Sequence, residues 1–199
     1  MDYHPKGGAA VSVFTPKKVT LPDGVEVLLR SPEESEAQRL LEYLDAVRRE
    51  SDGIMFDPAD DLLSLEEERK WVRGNLESDG GVHVAAVIEG RVVALAGIDQ
   101  VKFVRQRHSA GLGISIREQW CDRGLGTILM HELVAWARAH PVLEQLTLCV
   151  FESNPRAQAV YRKVGFQEDG RLPRRAKVNG RYIDLIEMSL WLDEAEVPA

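Results

Sequence analysis

The chain has 199 residues, 44% apolar and 29% charged, enough to bury a substantial core as one domain with short extensions. Its net charge of −7 argues against nucleic acid as a partner, since phosphate binding draws on clustered Lys and Arg, and no run approaches the roughly 18 apolar residues of a membrane span. The start MDYHPKGGAAVSV lacks the basic-then-apolar order of a secretory signal, and Cys121 and Cys149 lack zinc-site spacing, so a cytoplasmic protein with reduced thiols is expected.

Residues 1 to about 20, with Pro5, Gly7, Gly8 and Pro16, read as a loosely attached lead-in. A short strand, Val25 to Arg30, follows the turn Pro22-Asp23-Gly24. Ser31-Pro32-Glu33-Glu34 then predicts a helix with Ser31 as N-cap and an apolar stripe of Ala37, Leu40, Leu41, Leu44 and Val47. Six acids and no base lie between Asp57 and Glu68; they are either a collar for an amine or a solvated helix start, and the Ser64/Glu67 capping-box spacing favours the helix, from Leu65 to about Leu76.

From Val82 the period changes to two. VHVAAVI and VVALAGI flank Glu89-Gly90-Arg91 as an antiparallel hairpin, and a further strand runs from Leu112 to Ile116. A helix follows Gly126 and stops near His140-Pro141, and LTLCVF, residues 146 to 151, is a β-rich run. Asn154-Pro155 opens the next helix, Gly165 closes it, and Asn179-Gly180 joins strands at 175–178 and 182–191; residues 193–199 read as a tail.

The stretch CDRGLGT, with Gly124 and Gly126 before a helix, has the look of a phosphate-holding loop. A nucleoside-triphosphate loop needs a lysine after its last glycine, and Thr127 stands there instead; a dinucleotide fingerprint needs a small residue where Leu129 stands. The remaining pattern, Gln or Arg, two residues, Gly, one residue, Gly or Ala, is the acetyl-coenzyme A loop of the GCN5-related N-acetyltransferases (GNAT), which CDRGLGT resembles with Cys121 in the Gln/Arg place. VFESNPRAQAVYRKVGF is similar to that family's second cofactor segment, HSAGLGISI to its central strand, and EDGRLPRRAKVNGRYIDLIEMSL to the C-terminal hairpin of its ribosomal-protein and polyamine acetyltransferase branches. The resemblance runs from about residue 19 to 192.

It implies an α/β fold: a mixed, mainly antiparallel sheet with two splayed central strands, flanked by helices, as one domain over residues 21–192. It also implies acetyl-coenzyme A as donor, held by Arg123, Gly124, Leu125, Gly126 and Thr127 at a helix N-terminus, by the amides of Ile114 and Ile116 along the pantetheine arm, and by Asn154. Tyr161 matches the family's general acid. The family's basic glutamate falls on Gly111, which leaves Glu118, His108 and Asp99 as candidate substitutes, Glu118 being taken as the base; Asp184 matches an acidic residue near the acceptor groove. Arg156 and Lys163 can meet phosphate, though solvated helix charges account for both. No metal is implied, and a homodimer is the family's habit.

The expected function is acetyl transfer to a primary amine by direct attack in a ternary complex. The acceptor is small, such as a polyamine, amino acid or drug, or else a protein N-terminus. The acidic segment tilts the reading toward a cationic small molecule. The rival is a degenerate module that binds acetyl-coenzyme A without turnover, favoured by Gly111 and opposed by Tyr161.

Overall fold

The computed structural model describes residues 12–193. Their strands are β1 (Lys17–Thr20), β2 (Glu26–Arg30), β3 (Gly81–Ile88), β4 (Arg91–Gln100), β5 (Ser109–Ile116), β6 (Gln145–Phe151), β7 (Gln167–Val178) and β8 (Arg181–Trp191), and their α-helices are α1 (Ala37–Glu50), α2 (Leu65–Glu77), α3 (Leu125–Ala139) and α4 (Pro155–Val164). The strands form one sheet in the order β1-β2-β3-β4-β5-β6-β8-β7, antiparallel throughout except between β5 and β6. The mixed, mainly antiparallel sheet with flanking helices is therefore as expected.

Period-two patterning divides the core between the two faces. Val82, Val84, Ala94, Ala96, Ile98, Leu146 and Met188 pack with Leu125, Leu129, Met130 and Leu133 of α3, while Ala85, Val87 and Val92 pack with Leu40, Tyr43 and Val47 of α1 and Val72 of α2. Both tight turns are of the primed kind that matches strand twist: φ is +49° and +75° at Glu89 and Gly90, and +49° and +80° at Asn179 and Gly180.

Three local expectations are corrected. Lys17–Thr20, inside the supposed lead-in, is an edge strand paired with β2; residues 1–11 and the tail from 194 lie outside the described residues. Ser31 is not the helix cap: its hydroxyl accepts from Phe14 N at 2.9 Å, and a 3-10 turn, Glu34–Glu36, with a Glu33/Glu36 capping box leads into α1. The strand before Asn179 begins at Gln167 rather than 175, because register shifts at Glu168/Gly170 and Leu172/Ala176 absorb a Gly and a Pro that an edge strand tolerates.

Candidate active site

The parallel pairing of β5 with β6 lasts three residues, Ser109, Ala110 and Gly111 against Gln145, Leu146 and Thr147, and then stops. Beyond it β5 continues to pair with β4, and β6 with β8, so the two strands splay into a V. Residues of an antiparallel pair alternate between bonding to the partner and facing away. Arg117 N donates to Val93 O and Val101 N to Ser109 O, which assigns the odd-numbered residues of β5 to the β4 side. The N–H and C=O groups of Ile114 and Ile116 therefore face the open V.

The hydroxyl of Tyr43, from α1, sits inside the β4–β5 ladder. It donates to Ser115 O at 2.7 Å and accepts from Leu95 N at 3.2 Å, with Ser115 Oγ 2.9 Å away. It replaces a direct rung opposite the amides that face the V. Tyr43 is buried with Leu40 and Val47 on α1; it stood outside the apolar stripe expected from the sequence, and nothing in its spacing announced that its hydroxyl would enter the sheet.

Beyond the V lies the glycine loop. Gly124 takes φ +86° as N-cap of α3, and Ile128 N is the first amide of the helix to find a backbone partner, Gly124 O at 3.1 Å. The amides of Leu125, Gly126 and Thr127 have no backbone partner among the described residues and stand at the positive end of the helix dipole, where an anion is favoured. Gly126 has no special φ but packs closely: a Cβ would stand 3.3 Å from Ile116 Cδ1, whose side chain would have to give by a few tenths of an ångström, and 3.9 Å from Val160 Cγ1. Arg123 does not offer its guanidinium to the seat. That group is held by Asp23 at 2.6 Å and lies 4.3 Å over the Trp120 ring, leaving its backbone alone for the loop. Cys121 is half-buried, with Sγ 3.9 Å from Ile116 O, and burial pushes its thiol up, away from the reactive thiolate.

Asn154 caps α4, accepting from Ala157 N at 3.1 Å, and its Nδ2 donates to Gly53 O at 3.2 Å. Tyr161, 7% exposed on α4 with its ring centroid 6.2 Å from that of Phe166, is pushed up to about 12 by burial, so it stays protonated at any working pH. Glu118 is exposed, and both its oxygens lie 3.0 Å from the Arg156 guanidinium, which holds its carboxyl below the usual range. Arg156 is thus spent on Glu118, with Asp122 3.5 Å away. His108 serves through its carbonyl, which accepts from Glu144 N and Gln145 N. Asp184 accepts from Arg171 Nε at 2.7 Å and Arg174 N at 2.8 Å, locking β7 to β8.

Four contacts from the end of α1 and the loop after it had no signal in the sequence. At the end of β5, Glu50 grips Arg117 with both oxygens, at 2.9 Å to Nε, and accepts from Glu118 N at 3.0 Å. Three residues later Gly53 meets Asn154 just past β6, and Asp52 accepts from Asn179 Nδ2 of the β7–β8 turn at 3.0 Å. Residues 50–53 therefore strap the wide end of the V.

A splayed parallel pair, amides facing the V along one arm and a glycine turn opening a helix thus lie together at one end of the sheet. The model for the acetyltransferase (GNAT) family matches residues 41–166. The chain belongs to that family. An L-amino acid N-acetyltransferase of Escherichia coli (strain K12) is 30% identical over 122 residues, 61% of this chain and 75% of the relative. The putative ribosomal N-acetyltransferase YdaF of Bacillus subtilis (strain 168) is 24% identical over 177 residues, 85% and 93% of the two chains. The crystal structure of a GNAT acetyltransferase from Streptococcus pneumoniae matches with a TM-score of 0.79 at 30% identity, covering 83% of this chain and 98% of its own. This GNAT protein is an N-acetyltransferase that uses acetyl-coenzyme A.

Proposed function

We propose that this GNAT enzyme acetylates the primary amine of a small acceptor of the amino-acid kind, by direct attack in a ternary complex. The strap carries the reading. Glu50 and Gly53 tie the end of α1 and the loop after it to the ends of β5 and β6, and Asp52 ties that loop to the β7–β8 turn; in this reading they close one end of the groove. A closed groove suits a small molecule better than the N-terminus of a protein, which must leave by an open end. The relative acting on L-amino acids agrees with this reading, and the one named for ribosomal acetylation supplies its competitor.

In this reading acetyl-coenzyme A supplies a thioester carbonyl that an amine can attack. The amides of Leu125, Gly126 and Thr127, with those of Arg123 and Gly124 in the preceding loop, seat its phosphates. The Ile114 and Ile116 amides align the arm and polarise the carbonyl, much as a sheet edge takes up a strand. Asn154 acts through the strap and the cap of α4, since its side chain is committed to both. Tyr161 protonates the departing thiolate, a role for which burial keeps its proton in place.

The acidic segment contributes less than a collar. Glu66, Glu67 and Glu68 start α2, where the helix dipole favours them, and the Ser64/Glu67 capping box is formed. Asp57 and Asp60 shape their own turn, with Arg48 beneath, bonded to the Asp60 carbonyl. A cytoplasmic homodimer without a nucleic-acid partner completes the proposal, and sedimentation of the purified protein tests its assembly. The acceptor is tested by thiol release from acetyl-coenzyme A with the twenty L-amino acids, spermidine and an alanine-first peptide. Turnover with free amino acids above the peptide supports the reading; turnover with the peptide alone overturns it.

A further inference from the structure

The face of the sheet toward α1 and α2 is unusually bare beside the V. Register places Asp99, Gly111 and Thr147 in one row across β4, β5 and β6, and Gly97 beside Gly113 in the next. A Cβ at Gly113 would meet nothing within 4 Å, and one at Gly111 only Asp99 O at 4.0 Å. At Gly97 the missing side chain is replaced by His83 from β3, whose ring carbon Cδ2 lies 2.3 Å from where a Cβ would stand. The His83 ring is braced edge-on by Trp71, centroids 4.9 Å apart, and its Nε2 lies 3.5 Å from Asp99 Oδ2. Asp99 nevertheless keeps 74% of its side chain exposed.

We propose that Asp99 is the general base of the acetyl transfer, its carboxylate serving the space above Gly111 from the neighbouring strand, with His83 as the positioning residue that fixes it. The inference rests on the V being the acyl site. Gly111 lacks any side chain, Glu118 is bound by Arg156 and Glu50 by Arg117, whereas Asp99 is approached by His83 on one side and is otherwise exposed, in the row of Gly111. The charged and titratable groups that act on it are His83 from β3 and Lys102 from the following loop, which together hold its carboxyl ionised; β5 presents only glycines at this point. The protons balance simply. Asp99 takes one proton from the acceptor ammonium, directly or through a water, and releases it to solvent. The neutral nitrogen forms the N–C bond as the C–S bond breaks, Tyr161 gives its proton to the thiolate, and the second nitrogen proton, shed as the amide forms, returns to Tyr161 through water.

The test compares Asp99→Asn, Asp99→Glu, Asp99→Gly and His83→Gln by thiol release, using both the fastest free L-amino acid and the alanine-first peptide. Below the acceptor's own pKa, Asp99→Asn should lose about a hundredfold in kcat/KM for the acceptor, in the range of general-base catalysis, with the KM for acetyl-coenzyme A changed less than about twofold. The deficit should narrow as pH rises toward that pKa, because an acceptor already neutral needs no base. Asp99→Glu should retain most activity, and formate should restore Asp99→Gly several-fold without affecting the parent. His83→Gln should lower kcat and distort the acid limb of the profile. An Asp99→Asn variant within twofold of the parent, with an unchanged pH profile, overturns the proposal. If that happens while free amino acids are good substrates, the small-acceptor reading stands alone; if only the peptide turns over, that reading falls and Asp99 is still judged on the peptide.

Discussion

In the proposed reading the two halves of the groove, donor and acceptor, are built on different principles. On the donor side, β5 and α3 present main-chain groups: the amides facing the V and those of Leu125, Gly126 and Thr127, without a backbone partner among the described residues. On the acceptor side, the groove is shaped by side chains and one loop: the strap at residues 50–53, the hydroxyl of Tyr43, and His83 over the glycine floor. Main-chain recognition needs certain residues to be small and leaves the rest free. Side-chain recognition depends on the identity and placement of each group. The difference explains how Cys121 can stand where the family pattern has Gln or Arg without disturbing the loop.

The sharpest way to break this contrast is Tyr161, the donor-side group whose side chain is assigned chemistry. Tyr161→Phe keeps the ring against Phe166 and should lower kcat about a hundredfold, with acetyl-coenzyme A affinity unchanged by calorimetry. An unaltered kcat would make Tyr161 a core residue only. Next in size is the glycine seat. Gly126→Asp adds a Cβ 3.3 Å from Ile116 Cδ1 together with a negative charge at the anion site. It should weaken acetyl-coenzyme A by about 2 kcal/mol, roughly thirtyfold. Cys121→Ala, by contrast, should stay within about twofold, since a half-buried neutral thiol contributes little to a backbone-lined loop. Comparable losses from the two would erase the distinction between the halves.

A smaller effect is expected at the strap. A Cβ on Gly53 would lie 2.5 Å from Asn154 Nδ2, so Gly53→Ala should push the strap from α4. Acceptor KM should rise about fivefold to tenfold, roughly the worth of one hydrogen bond and its ordering, while the KM for acetyl-coenzyme A holds. Equal changes in both constants would place the strap on the donor side.

The same contrast decides what could be read before folding. Gly124, Asn154 and Gly165 carry local backbone tasks, and each was legible from its neighbours: a glycine turn opening α3 at φ +86°, an N-cap accepting from Ala157 N, and a left-handed C-cap at φ +107°. The α4 cap was visible because Pro155 follows it. The acceptor floor was not visible, because Gly97 and Gly113 meet only through the β4–β5 register, and His83 reaches Asp99 only through the pairing of β3 with β4. Ser31 misled for a related reason: its local spacing fits a helix cap, but a residue 17 positions away, Phe14, took its hydroxyl. β7 was under-read because Gly170 and Pro173 are turn residues by composition, and bulges on an edge strand hide from composition.

The smallest effect concerns stability on the acceptor side. Glu68 of α2 is 1% exposed, and its Oε1 has no hydrogen-bond partner among the described residues. Burial pushes its carboxyl up from the ordinary glutamate value, because the folded chain disfavours the charged form. A raised value in the folded state favours folding fully below the unfolded pKa, and that support is lost as pH rises through the folded pKa. At pH 8 the fold therefore carries the cost of an ionised or reluctantly protonated acid, which Glu68→Gln removes. The variant should be more stable there by about 1 kcal/mol, a rise of roughly 2–4 °C in Tm, with the gain shrinking as pH falls toward about 4.5. The helix dipole works the other way, since Glu68 lies in the first turn of α2, where negative charge is favoured. Melting curves at pH 8 and pH 5 separate the two terms: a gain confined to high pH means desolvation dominates, whereas a loss at pH 8 means the dipole does and Glu68 is a charged helix-start residue despite its burial.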